Sequence, residues 1–217
     1  MLRFVAFDMD GTLVDVASSW AAVHDHFGEH NAEGLRRFLA NEIDDRQFIR
    51  SDVEIWWRHA PDLTIEDLEA ILGGVPLMRG AHALVDGLRA RGVRTAIVSG
   101  GIDLLARRIG RELGIDLVLA NGFRVTADGR LTGEGIVRVP IQDKESVVAA
   151  LQESLGVSPA ETASVGNSQI DVGMFRRSRV GVAFQPEDDD VRRAATHIVT
   201  ERDLARVLPL LERFGDA

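Results

Sequence analysis

Two rhythms divide this chain. Short apolar runs bounded by glycine or polar clusters alternate with stretches whose apolar residues recur every three or four positions. Residues 2–7 form a short apolar run and predict a buried strand ending in Asp8-Met9-Asp10-Gly11-Thr12. From 16 to 79 the spacing is helical, as in Phe38, Ile43, Phe48, Ile49, Val53, Ile55 and Trp56. Thr64 with Asp67 reads as an N-cap and capping box, and Gly73-Gly74 with Pro76 ends that helix. After Gly80 strands and helices alternate. Helices are predicted over 81–91, 102–113, 143–155 and 172–177, and a terminal one over 203–214. Strands are predicted over 93–98, 117–120, 162–165, 180–184 and 198–199. Ser99-Gly100-Gly101 reads as a tight turn. Asp128-Gly129 joins a hairpin of 123–127 and 131–137.

Strands alternating with helices imply an α/β fold, a mostly parallel sheet covered on both faces. The helical stretch interrupts that alternation directly after the first strand. The expected organisation is a core of residues 1–15 and 80–217 with a helical cap, 16–79, inserted into it. Ligands in such sheets bind beyond the carboxyl ends of the strands. The polar residues that follow each strand therefore belong together.

Composition narrows the partners. The 217 residues are 45% apolar and 27% charged, a globular profile, and there is no cysteine to build a disulfide scaffold. No apolar run reaches the roughly 18 residues a membrane span needs, and no leader-like segment opens the chain. A net charge of −9 argues against nucleic acid and anionic membranes as partners. The expectation is a soluble cytoplasmic protein, monomer or homodimer, acting on a small molecule. Lys144 is the one lysine among 25 basic residues.

The strand ends carry candidate chemistry. Asp8 and Asp10, two apart on extended backbone, point the same way, and both stay ionised only near a cation. Hard oxygen ligands of this kind suit Mg2+. Gly11 lets the chain turn, and its amide can face an anion. Ser99 with Gly100 and Gly101 before a helix offers a hydroxyl and amides to an anion. Lys144 sits at a helix start, a poor place for a decorative cation, so an anionic partner is expected. Gly166-Asn167-Ser168 follows a later strand, with Asp171 opening the next helix. Each feature alone has an ordinary structural reading. In this order they are the parts of a magnesium-dependent phosphoryl-transfer site.

Phe7-Asp8-Met9-Asp10-Gly11-Thr12-Leu13-Val14, Ile97-Val98-Ser99-Gly100-Gly101, Lys144 and Gly166-Asn167-Ser168-Gln169-Ile170-Asp171 resemble the four motifs of the haloacid dehalogenase superfamily. The helical insert, Ala120-Asn121-Gly122 and Leu131-Thr132-Gly133 are similar to its phosphoserine phosphatase-like branch. The resemblance implies a Rossmann-like core with a cap, and a phosphatase acting on a small phosphorylated metabolite, with phosphoserine as one possible substrate. By matching position, Asp8 is the implied nucleophile and forms an aspartyl-phosphate. Asp10 is the implied acid and base. Gly11, Thr12, Ser99, Gly100 and Lys144 are the implied phosphate contacts, and Asp8, Asp10, Asn167 and Asp171 the implied Mg2+ site. Asp10 also argues against dehalogenase activity.

Two departures stand out. Asn167 occupies a position that in the family carries a metal-binding aspartate, and Ile170 one that is often asparagine. In the cap, Ala17 and Asp52 fall near places where the phosphoserine phosphatases carry a glutamate and an arginine for the substrate. Asn167 motivates one alternative, a phosphate-binding regulatory protein with weakened turnover. A phosphotransferase is a second. His24, His26 and His30 with Glu29 offer a weak metal-cluster pattern. Trp56 and Trp57 read chiefly as cap core, and Glu187 to Asp190 as a solvated helix start.

Overall fold

The computed structural model describes residues 1–214. One sheet of seven strands runs through the molecule in the order β4-β3-β2-β1-β5-β6-β7. At its centre β1 (Phe4–Phe7) is parallel to both β2 (Arg94–Ile102) and β5 (Thr162–Gly166). Beyond β2 lies β3 (Leu117–Val125), parallel, and then β4 (Leu131–Ile136), the one antiparallel strand, returning through the hairpin at Gly129. On the other flank β6 (Val180–Phe184) and β7 (His197–Val199) continue the parallel ladder. The chain steps outward from β1 to one side and later returns at β5 on the other. The carboxyl end of β1 is thus a switch point, where a crevice opens.

β1 shows why the run at residues 4–7 is apolar without alternation. Val5 and Phe7 enter one buried cluster, and Phe4 and Ala6 enter another on the opposite face. Between β1 and β2 the chain makes α1 (Ser19–Phe27), α2 (Ala32–Leu39), α3 (Asp45–Trp56) and α4 (Ile65–Gly73) as an insert, then α5 (Ala81–Arg89). α5 and α6 (Asp103–Leu113) bury Leu84, Leu88, Leu105 and Ile109 on the Val5 face. α7 (Lys144–Leu155) buries Val148 and Leu151 on the Phe4 face. The shorter α8 (Val172–Arg176), α9 (Asp189–Ala194) and α10 (Leu208–Glu212) complete the layers.

Side-chain caps fix where the insert's helices begin. Asp44 with Gln47 and Thr64 with Asp67 each form a reciprocal capping box at the start of α3 and α4. The two chain crossings into the insert run side by side, with the Asp15 amide on the Pro76 carbonyl (2.9 Å) and the Met78 amide on the Leu13 carbonyl (2.8 Å). Val23, Ile49, Val53 and Trp56 share one core with Phe7, Leu13 and Phe123. The hairpin also grips the insert: the Ile65 amide donates to Gly129 and the Leu131 amide to Leu63, both at 3.0 Å. Gly135 is required there, since a Cβ would fall 2.8 Å from Ile49.

The sequence expectations hold for element order and for the Thr64 capping box, and fail at three boundaries. Ser99-Gly100-Gly101 is not a tight turn: β2 runs on to Ile102, and its pairing with β3 shifts register between Val98 and Ile102. Residues 117–120 and 123–127 belong mostly to one strand, β3, because Asn121 and Gly122 are buried within it. The terminal helix is broken: a 3-10 turn over Leu204–Arg206 precedes α10, and Pro209, without an amide hydrogen, sits in the first turn of α10. Among the described residues no helix is long and apolar enough to cross a membrane.

Candidate active site

The Asp8 amide donates to Val165 on β5 (2.9 Å), which fixes the chain just past β1. Its Oδ1 accepts from Lys144 Nζ at 2.6 Å. Lys144 also donates to Asp171 Oδ1 at 2.7 Å. The lysine is placed by Asp143, whose side chain caps α7 by accepting from the Ser146 amide (3.1 Å). That cap makes Lys144 the first helical residue and sends its ammonium inward, wholly buried. The anionic partner expected for this lysine is therefore a pair of carboxylates. Burial pushes Asp8 up to about 7, Asp171 adds to the shift, and Lys144 opposes it. Burial alone would depress Lys144, but Asp171 and Asp8 outweigh it and hold the ammonium above its ordinary range.

Asp10 is gripped by the insert. Its Oδ2 accepts from the Ser19 amide (2.9 Å) and the Ser19 hydroxyl (2.8 Å). The same hydroxyl accepts from the Ile102 amide at the end of β2 (2.9 Å). Ser19 thus ties the start of α1, the end of β2 and Asp10 into one chain of donors. Asp10 Oδ1 is buried with no partner. Burial pushes this carboxyl up to about 6, against the two bonds from Ser19. Ser99, buried, accepts from the Gly101 amide at 3.0 Å and keeps its own hydroxyl hydrogen for the cavity it lines. Gly100, also lining it, accepts on its carbonyl from Trp20 Nε1 (3.0 Å).

Asn167 follows β5 and lines the same cavity. Its Nδ2 donates to Glu187 Oε1 at 3.0 Å, which leaves the amide oxygen turned away from that bond. Glu187, at the rim, is raised by partial burial and by Asp171 and Asp188. Asp8 Oδ2 and Asn167 Oδ1 receive no hydrogen bond among the described residues. Hard oxygens at a cavity floor fit the expected Mg2+. Among the described residues no three His, Cys, Asp or Glu side chains are grouped to hold a metal. An ion that keeps several waters and takes one or two carboxylates fits such a floor.

Several expected assignments change. Asp171 is wholly buried and lies outside the cavity lining. Its Oδ2 accepts from the Asn167 (2.9 Å) and Ser168 (3.1 Å) amides and its Oδ1 from Lys144, so both oxygens are engaged in bracing the loop and the lysine. The Gly11 amide donates to the Val16 carbonyl (2.7 Å) rather than facing an anion. Gly11 is glycine because its φ is +70° and a Cβ would meet Asn167 Nδ2 at 2.3 Å. Thr12 is wholly buried and, like Gly11 and Lys144, does not line the cavity. The histidine pattern forms no metal group among the described residues: His24 pairs with Asp52 and His59 takes Glu29, while His24 and His30 both line the cavity. The helix start read at Glu187 to Asp190 is present, with Asp188 capping α9, but Glu187 lines the cavity. Trp56 is wholly buried in the core, as read from the sequence.

The cavity holds about 490 Å³ between the strand ends and the insert. Asp8, Asp10, Ser99 and Asn167 meet there. The insert adds Trp20 and Asn31, which the sequence reading did not name as site residues, beside Asp52, aligned near a substrate position, and His24, read only in a metal pattern. One signal was available. Ile49, Asp52, Val53 and Trp56 share one helix face at spacings of three and four, so a carboxyl interrupts an apolar stripe.

The chain belongs to the haloacid dehalogenase-like hydrolase family, whose model matches residues 5–176. Within it the chain is phosphoserine phosphatase-like, and it is a phosphoric monoester hydrolase. It is 32% identical over 219 residues to a phosphoserine phosphatase of Streptococcus thermophilus, covering 97% of this chain and 96% of that one. It is 30% identical to a phosphoserine phosphatase of Archaeoglobus fulgidus, over 86% of this chain and 53% of that longer protein. Among solved structures, a phosphoserine phosphatase captured as a phospho-aspartyl intermediate analogue superposes with a TM-score of 0.81. It is 25% identical, over 96% of this chain and 98% of that one.

Proposed function

We propose that the protein hydrolyses a small-metabolite phosphomonoester, with Mg2+, through an aspartyl-phosphate on Asp8. The observation that carries this reading is Asp8 itself. Lys144 holds one carboxylate oxygen at 2.6 Å and leaves the other on the cavity floor, within a site shared with Asp10. Asp8 Oδ2 attacks phosphorus, and the ester P–O bond breaks. The electron pair leaves on the alcohol oxygen, which takes the proton of Asp10. Water then gives a proton to Asp10 and attacks phosphorus. The bond to Asp8 breaks, and phosphate leaves with both aspartates restored. Asp10, raised to about 6, is suited to carry a proton in both directions.

Ser99 donates to a phosphoryl oxygen, and Lys144 holds Asp8 in place with Asp171 as its brace. Asp8, the Asp10 carbonyl and the Asn167 amide oxygen would hold Mg2+, whose charge would offset that of the phosphoryl group and of Asp8. Glu187, bonded to Asn167, brings a carboxylate beside the position where the charge is missing. That argues against the reading of a protein with lost turnover. We further propose that residues 16–79 act as a cap over the core formed by 1–15 and 80–217. The test is hydrolysis of p-nitrophenyl phosphate with Mg2+ and with EDTA. Mg2+-dependent turnover is expected. Phosphate binding without turnover would favour the regulatory alternative, and transfer to an added alcohol in place of water the phosphotransferase.

A further inference from the structure

The part of the cavity that the insert lines points to the alcohol half of the substrate. Ala17, Trp20, Leu35 and Phe48 make most of it apolar. Its polar part centres on Asp52, only 3% exposed. Asp52 Oδ1 accepts from His24 Nε2 (2.8 Å) and from Asn31 Nδ2 (2.7 Å). Trp56 Nε1, which can only donate, sits 3.1 Å from His24 Nδ1. Nδ1 therefore accepts, and the ring's hydrogen on Nε2 points at Asp52. Asp52 Oδ2 receives no hydrogen bond among the described residues, although the residue lines the cavity. A ligand that fills the cavity displaces the water open to that oxygen, and only a donor on the ligand replaces the lost bond.

The lining contains no arginine or lysine among the described residues. Its imidazoles are His24, already bonded to Asp52, and His30. A substrate carboxylate would leave water, find no ammonium or guanidinium, and bring acceptor oxygens toward an acceptor oxygen. Resting on the phosphatase reading above, we propose that the substrate is the phosphomonoester of a carboxylate-free alcohol bearing a hydrogen-bond donor, ammonium or hydroxyl, that meets Asp52. His24 and Asn31 hold the Asp52 carboxyl in place, and the apolar wall takes the carbon chain.

Four esters separate the terms: O-phosphoethanolamine, glycerol phosphate, propyl phosphate and O-phosphoserine, which is the first compound with a carboxylate added. With Mg2+ present, kcat/KM for O-phosphoethanolamine or glycerol phosphate should exceed that for O-phosphoserine by at least about tenfold, the lower part of the range for leaving one buried polar group unsatisfied. Whichever donor-bearing ester is better identifies the donor, and propyl phosphate should fall below it. Asp52→Asn should reduce the ratio of the preferred ester to O-phosphoserine, with melting temperature measured to confirm folding. O-phosphoserine turned over as well as or better than both donor-bearing esters overturns the proposal, and this wild-type comparison stands even if the variant does not fold. p-Nitrophenyl phosphate runs alongside. Its hydrolysis with the wrong selectivity overturns the substrate class alone, whereas no hydrolysis of any ester overturns the phosphatase reading and this proposal with it.

Discussion

The Ser19 hydroxyl donates to Asp10 Oδ2 at 2.8 Å while accepting from the Ile102 amide at 2.9 Å. The insert therefore aims the proposed acid. Ser19→Ala removes one of the two bonds that Ser19 makes to Asp10. Catalysis depends on where that carboxyl points, so kcat should fall about tenfold with a smaller change in KM. Steady-state kinetics on p-nitrophenyl phosphate check this. An unchanged kcat would show that Asp10 is aimed without Ser19.

Lys144 is the wholly buried centre of a carboxylate–ammonium–carboxylate triad. Lys144→Met leaves Asp8 and Asp171 facing each other without a cation. Breaking a buried pair in this way costs about 3–5 kcal/mol. Urea unfolding at neutral pH should show a loss of that order, and turnover should fall with it. A variant as stable as the wild type would mean the triad is not closed in solution.

Asp8 and Asp10 both have raised carboxyls, to about 7 and about 6, chiefly through burial. The folded state therefore holds these protons more tightly than the unfolded chain. Their stabilisation is complete below the unfolded value of 3.8 and is lost as pH rises through the folded values. In EDTA, Asp10→Asn should be more stable than the wild type near pH 7.5, by up to about 3 kcal/mol, with no such gain near pH 4. Melting temperature against pH reads this directly. A gain that grows toward low pH would reverse the sign and refute the burial account.

Asn167 donates to Glu187, and Asn167→Asp would replace that bond with two facing carboxylates. Mg2+ binding should tighten in calorimetry and turnover should need less Mg2+, because the site gains a charge. The metal-free melting temperature should drop. If neither Mg2+ affinity nor the Mg2+ dependence of turnover changes, residue 167 does not face the metal.

Leu35 and Leu39 on α2 and Ile170 beside Asn167 are large exposed apolar side chains, with Leu35 and Ile170 both lining the cavity mouth. Closure of the insert would cover them. Hydrogen exchange with Mg2+ and beryllofluoride should show added protection over α2 and around residue 170. Equal exchange with and without the mimic would count against a closing lid.

The parts of this protein legible in sequence are those whose meaning is local. Residues 4–7 are apolar because β1 is buried on both faces, and Thr64-to-Asp67 spacing alone specifies the cap of α4. Lys144 was conspicuous as the one lysine. Partners distant in the chain were not legible. Asp52 meets His24 from another helix, 28 residues away, and Glu187 meets Asn167 across a separation of 20. Gly11 misled for a related reason: its freedom of φ was readable, but its amide is taken by Val16 through a loop whose closure the sequence does not state. Ser99 to Gly101 looked like a turn because glycine marks turns, whereas here the glycines allow close approach. A Cβ at Gly101 would meet Asp10 and Ser19 at 2.6 Å.

Transfer of the phosphoryl group to Asp8 can be read directly on the covalent intermediate. Protein turning over a 32P-labelled phosphomonoester with Mg2+ is quenched in acid, digested, and mapped by mass and label. Transfer to Asp8 predicts one phosphoryl group on the peptide that contains Asp8 when the digestion is done with an acid protease, released on return to alkaline pH and absent from Asp8→Asn. Steady turnover with no label on that peptide, or label that persists in Asp8→Asn, would contradict it.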